Sequence, residues 1–76
     1  MNRSVFLNTF YESERETAQS VLNTIIGQDN AKNTKQIALE LGYGLGVVRA
    51  VIRRSKNADL IIHLALRSTY YVDITN

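Results

Sequence analysis

The residues of this chain best suited to chemistry are cations. Arg49 and Arg53 stand four apart, Arg54 follows directly, and Lys35 and Lys56 lie at the margins. Residues four apart share one side of a helix, and like charges at that spacing repel slightly, so stability does not account for the arrangement. A polyanionic partner does. The rest of the charge pattern agrees: residues 31–56 carry Lys32, Lys35, Arg49, Arg53, Arg54 and Lys56 against the single acid Glu40. Before them Arg3 and Arg15 face Glu12, Glu14, Glu16 and Asp29, and after them Arg67 faces Asp59 and Asp73. A net charge of +2 is therefore concentrated on one segment, as a phosphate-binding face requires. The plainer reading is a solvated helix face.

Other chemistries find few residues. The one histidine, His63, lies in an apolar run with Asp59 and Asp73 as its nearest acids in sequence, so a nucleophile with its base has no candidates and a metal lacks a third ligand. There is no cysteine, hence neither a disulfide framework nor a thiolate metal site. Gly42-x-Gly44-x-Gly46 follows a helical pattern rather than a strand and has no loop lysine, so it reads as a tight turn and not a phosphate cradle. The expectation is a protein that is not an enzyme and uses no metal or cofactor.

The elements that must position the cations are legible from periodicity. Ser13 and Glu16 have the spacing of a capping box, and Ala18, Val21, Leu22, Ile25 and Ile26 form one apolar stripe behind it. Residues 27–33 read as a loop. Thr34, or alternatively Asn33, caps a second helix that turns Ile37, Ala38 and Leu41 inward and Leu39 outward. After Gly42-Tyr43-Gly44 a third helix, 45–55, places Leu45, Val48, Val51, Ile52 and Ser55 on the inner side and Gly46, Val47, Arg49, Ala50, Arg53 and Arg54 on the outer. Leu60 to Leu66 and Tyr70 to Ile74 are strand-like and joined by Arg67-Ser68-Thr69, which predicts a hairpin. Val5, Phe6, Leu7, Phe10 and Tyr11 fit no single period, and a lead-in helix, a strand and a dimer arm all remain open for residues 1–12.

Thr34-x-x-Ile37-Ala38-x-x-Leu41-Gly42, then Val48 and Ile52, resembles the bihelical unit of winged helix-turn-helix DNA-binding domains of the small bacterial or phage type. The resemblance covers roughly residues 14–75. It implies an α+β fold: a three-helix winged helix-turn-helix with a C-terminal two-stranded β-hairpin wing, occupying 13–76 after the apolar segment 1–12. It also implies a small transcriptional regulator that sets helix 45–55 in the major groove of double-stranded DNA. Arg49, Val47 and Ala50 are then the candidates for base contact, Arg49 through guanine and the other two through the thymine methyl. Lys32, Lys35, Gly44, Gly46, Arg53, Arg54, Lys56 and Arg67 are the candidates for phosphate contact. The turn departs from the family pattern, because Gly44 and Gly46 flank Leu45 where a capping Ser or Thr is common. The alternative is a winged-helix protein-protein interaction module, an adaptor or inhibitor without sequence-specific readout, to which exposed Leu39 and Tyr43 point.

Seventy-six residues make one small domain, burying only about 60% of the surface that the unfolded chain exposes. A single weak reading head suggests pairing, and Val5, Phe6 and Phe10 are the candidates for a homodimer contact. No apolar run nears the roughly 20 residues of a membrane span, and no secretion signal is evident, so the expected setting is cytoplasmic without a membrane partner.

Overall fold

A computed structural model of the chain describes residues 2–25, 32–64 and 69–72. These form four helices, α1 (Arg3–Leu7), α2 (Glu12–Thr24), α3 (Thr34–Leu41) and α4 (Leu45–Asn57), and three short strands, β1 (Lys32–Asn33), β2 (Ile61–Leu64) and β3 (Thr69–Val72).

The expected fold class is corrected by this arrangement. The described residues are mostly helical, with four helices where three were expected. Its C-terminal strands do not stand as a two-stranded wing: β3 is the middle strand of a three-stranded sheet, antiparallel to β2 on one side and to β1 on the other. The cause of the miss is physical. β1 has only two residues, Lys32 and Asn33, opposite Tyr70 and Thr69, and so short and polar a strand has no alternation to read.

The fourth helix comes from the segment whose period was ambiguous. Asn2 caps α1 by accepting from the Val5 amide at 2.8 Å, and a single turn and a half brings Phe6 inward. Phe6 and Phe10 then meet edge to face, ring centroids 5.2 Å apart at 83°, and both are buried. Two of the three residues expected at a dimer contact are thus part of the chain's own core, and only Val5 stays on the surface. Helix α2 begins at Glu12, with Tyr11 at the cap and no side-chain cap bond, so Ser13 lies inside the helix and its capping box does not form. Glu12 and Glu14 in the first turn favour the start through the helix dipole instead.

The core is the meeting of the helix stripes: Ala18, Val21, Leu22 and Ile25 from α2, Ile37 and Ala38 from α3, and Val48, Val51 and Ile52 from α4, closed by Phe6, Phe10, Leu60 and Ile61. Ser55 is also fully buried but returns its hydroxyl to the Val51 carbonyl at 2.7 Å, which satisfies it. Leu45, expected inside, is exposed at the first position of α4. Ile26 lies outside the described residues.

Both ends of the α3–α4 pair are fixed by local chemistry. Asn33, the alternative cap, is the one used: it accepts from Gln36 N at 2.8 Å while Gln36 Oε1 accepts from Asn33 N at 2.9 Å. Gly42 ends α3 at φ 74°, a left-handed geometry that glycine adopts at least cost, and the Gly42 and Tyr43 amides both close on the Ala38 carbonyl. Helix α4 ends in a Schellman-type cap, with Asp59 at φ 59°, its amide on the Lys56 carbonyl and the Leu60 amide on Ser55. Buried Leu60 leads directly into β2, so the same cap that stops α4 aims the sheet. Among the described residues no helix is long and apolar enough to cross a membrane.

Candidate nucleic-acid interface

The buried residues of α4 are Val48, Val51, Ile52 and Ser55, which fixes the opposite, solvent-facing side around Gly46, Ala50, Arg53 and Asn57. This side is not one uniform contact surface. Toward α3 it is cationic: Arg49, Arg53 and Lys56 line a cleft with Thr34 and Ile52. Toward α2 it is mostly apolar: Val47, Ala50, Val51 and Arg54 line a groove with Phe10, Glu14 and Thr17.

Arg49 and Arg53 are both exposed, and among the described residues neither makes a hydrogen bond or ion pair. They project together from one flank of a helix whose first turn contains no acid. Two exposed guanidinium groups on one helix can take a phosphate or the edge of a guanine, since each presents a planar fork of donors.

Arg54 has a different fate. It is half-buried, its Nη2 donates to the Thr9 hydroxyl at 2.7 Å and to the Thr9 carbonyl at 3.2 Å, and its guanidinium carbon sits 3.7 Å from the Phe10 ring centroid. The expected phosphate contact of Arg54 therefore competes with contacts inside the protein, where its charge holds the α1–α2 corner against α4. A helical wheel places positions 53 and 54 about 100° apart, enough to send one to solvent and its neighbour onto a ring.

Lys32 is likewise engaged, with Nζ 2.6 Å from Glu40 Oε2, so the expected phosphate contact there competes with an ion pair inside the protein. The same pair occupies the only acid of the basic segment. Lys35 is exposed on α3, and Lys56 is exposed at the mouth of the cleft. Gly44 caps α4 from an extended conformation without a side-chain bond, which leaves the first amides of the helix open. Among the described residues a Cβ built at Gly44 or Gly46 meets nothing within 4 Å. Packing inside the protein therefore gives no reason for glycine at 46, inside a helix where it costs about 0.5–1 kcal/mol relative to alanine.

Of the base-contact candidates, Val47 is half exposed at 48% and Ala50 is exposed, but both face the α2 groove, away from the Arg49 side. Arg67 lies outside the described residues, as does Asp73; His63 is on β2 opposite Tyr70. Among the described residues no group of three or more His, Cys, Asp or Glu is placed to hold a metal ion. The residue that sequence reasoning placed only as a cap is Thr34. The structure brings it to the cationic cleft, a juxtaposition across two helices that no spacing within either helix reveals.

No family model matches the chain, and neither any curated protein nor any solved structure matches it, so the likeness to winged helix-turn-helix domains rests on the α3–turn–α4 residues alone.

Proposed function

We propose that this chain is a small cytoplasmic DNA-binding regulator that contacts the duplex through the outer side of α4. The observation that carries the reading is the pair Arg49 and Arg53, exposed, unengaged among the described residues and four positions apart on a rigid helix. Among the described residues nothing uses their charge, and a backbone of phosphates would. Gly46 supports the same reading from the other direction. It sits one turn before Arg49 and Ala50 on the open side of α4, where the absence of a side chain lets a partner's surface reach the helix backbone. Arg49, near the helix start, is assigned to base edges, and Arg53, with Lys35 and Lys56, to phosphates. With Val47 and Ala50 turned to the α2 groove, base readout falls on Arg49 almost alone, and binding is expected to be mostly sequence-independent and steeply weakened by salt.

A second reading is favoured by a specific observation. Leu39 is 76% exposed, Tyr11 80% and Val47 48%, and the groove between α2 and α4 is lined by Phe10, Val47, Ala50 and Val51. These suit a protein-interaction module. Retention on random duplex or heparin in rising salt separates the two: late elution that Arg49→Gln/Arg53→Gln abolishes supports DNA binding, and early elution of the unaltered chain supports the protein partner.

A further inference from the structure

We propose that the cleft between the start of α3 and the cationic flank of α4 is a discrete site for one phosphate group, held by Arg49, Arg53 and the Thr34 hydroxyl. The inference rests on the reading that this flank faces an anion, and it adds where and how many. The cleft has a volume of about 240 Å³ and is lined by Thr34, Arg49, Ile52, Arg53 and Lys56. That is many times the roughly 10–15 Å³ needed to admit one water, so a tetrahedral anion fits with part of its hydration shell.

Three features make it a site rather than a stretch of charged surface. Among the described residues no carboxylate lines it, and Glu40, the only acid between residues 31 and 56, is bound to Lys32. Its floor includes Ile52, which is 3% exposed, so the cations act over an apolar base where their field is less screened than on open surface. The third is Thr34, half-buried with its hydroxyl unengaged among the described residues, which supplies a neutral donor or acceptor beside two charged donors. Arg49 and Arg53 come from successive turns of one helix and Thr34 from another, so the α3–α4 packing holds the three together.

The chemistry recognised is a phosphate oxyanion, which can come from a nucleic-acid backbone or from a free phosphate. The test uses the full chain, isotope-labelled, with amide and arginine Nε–Hε resonances followed by NMR. It is titrated in separate arms with inorganic phosphate, with dimethyl phosphate as the diester model and with a nonspecific duplex, all at matched ionic strength in sodium chloride. The expected result is saturable shifts at the Thr34 amide and the Arg49 and Arg53 side chains in the inorganic phosphate and duplex arms. Arg53→Gln or Arg49→Gln should weaken inorganic phosphate binding about tenfold, as loss of a hydrogen bond to a charged group does. Arg3→Gln, which removes one positive charge well outside the cleft lining, should leave it unchanged.

Shifts that scale with ionic strength, spread over all exposed cations and ignore Arg53→Gln would overturn the site. Duplex binding that leaves Thr34 and both arginine side chains unshifted overturns it while sparing the proposed function. Phosphate binding in the cleft without duplex binding does the reverse: the site stands, with free phosphate as its source, and the DNA-binding reading falls.

Discussion

Arg53 and Arg54 are adjacent in sequence, and the structure gives them opposite surroundings, which makes their comparison a sharp test. Arg54→Met keeps the length and apolar stem but removes the charge, so it forfeits the contact over Phe10 and two bonds to Thr9. The ring contact is worth about 0.5–1 kcal/mol at a partly exposed site, and the bonds, charged but near solvent, bring the total to roughly 1–2 kcal/mol. With a urea m-value of about 1 kcal/mol/M for a domain this small, the denaturation midpoint should fall by about 1–2 M. Arg53→Met, which breaks no bond among the described residues, should move it by less than about 0.5 M. A cycle with Phe10→Leu should return a coupling of about 0.5–1 kcal/mol for Arg54 and none for Arg53. Duplex binding should divide the other way. Each phosphate contact contributes about 0.9 to the slope of log K against log salt, so Arg53→Met should flatten the slope by about that much while Arg54→Met leaves it unchanged. An Arg54→Met protein of unaltered stability with a flattened salt slope would refute the assignment, because that residue would then be a DNA ligand and not a strut.

Two glycines offer a paired test of backbone argument. Gly42→Ala forces a side chain to φ 74° and should destabilise the chain by about 1–2 kcal/mol although a Cβ there meets nothing, and thermal unfolding reads this directly. Gly46→Ala should stabilise by up to about 1 kcal/mol in the same assay yet weaken duplex binding, and equal or tighter binding would remove the close-approach argument. Phe6→Ala should cost about 3–5 kcal/mol, a large share of the stability of any 76-residue domain, with a midpoint independent of protein concentration; a loss below about 1 kcal/mol would return residues 1–12 to the periphery. Asn33→Ala should lower stability by about 1 kcal/mol through its cap, whereas Ser13→Ala, whose capping box does not form, should be near neutral.

The helices were legible where apolar residues recur at helical spacing over two turns or more. Val48, Val51, Ile52 and Ser55 lie on the buried side of α4, as do Ala18, Val21, Leu22 and Ile25 on or just after α2, because burial of a continuous stripe is what makes each helix stable. Where the signal is a single residue type, tertiary contacts decided instead. Ser13 and Glu16 have capping-box spacing, but α2 starts one residue earlier than Ser13 and makes the box impossible. Phe6 and Phe10 show no period because α1 has only five residues, too few for a stripe. A two-residue β1 has no pattern at all, and missing it turned a three-stranded sheet into a two-stranded wing.

The candidate site divides in the same way. That Arg49 and Arg53 share an exposed side follows from their spacing. That Arg54 leaves that side depends on where Phe10 and Thr9 are carried by the α1–α2 corner, 45 positions away in sequence in the case of Thr9. Lys32 is paired with Glu40, eight residues on, across the cap of α3, so a phosphate there has a competitor that spacing alone does not reveal. Sequence spacing can place residues on one face of one element, and it is blind to which neighbour another element delivers.

The central claim is that Arg49 and Arg53 form an anion-facing pair. Its most direct test is equilibrium binding of a nonspecific duplex to the unaltered chain and to Arg49→Gln/Arg53→Gln, by fluorescence anisotropy across a range of salt concentrations. Removal of both should lower affinity at low salt at least tenfold and flatten the salt slope by about two contacts, close to 1.8, with an unchanged unfolding midpoint. The same affinity and slope in both proteins would contradict the account.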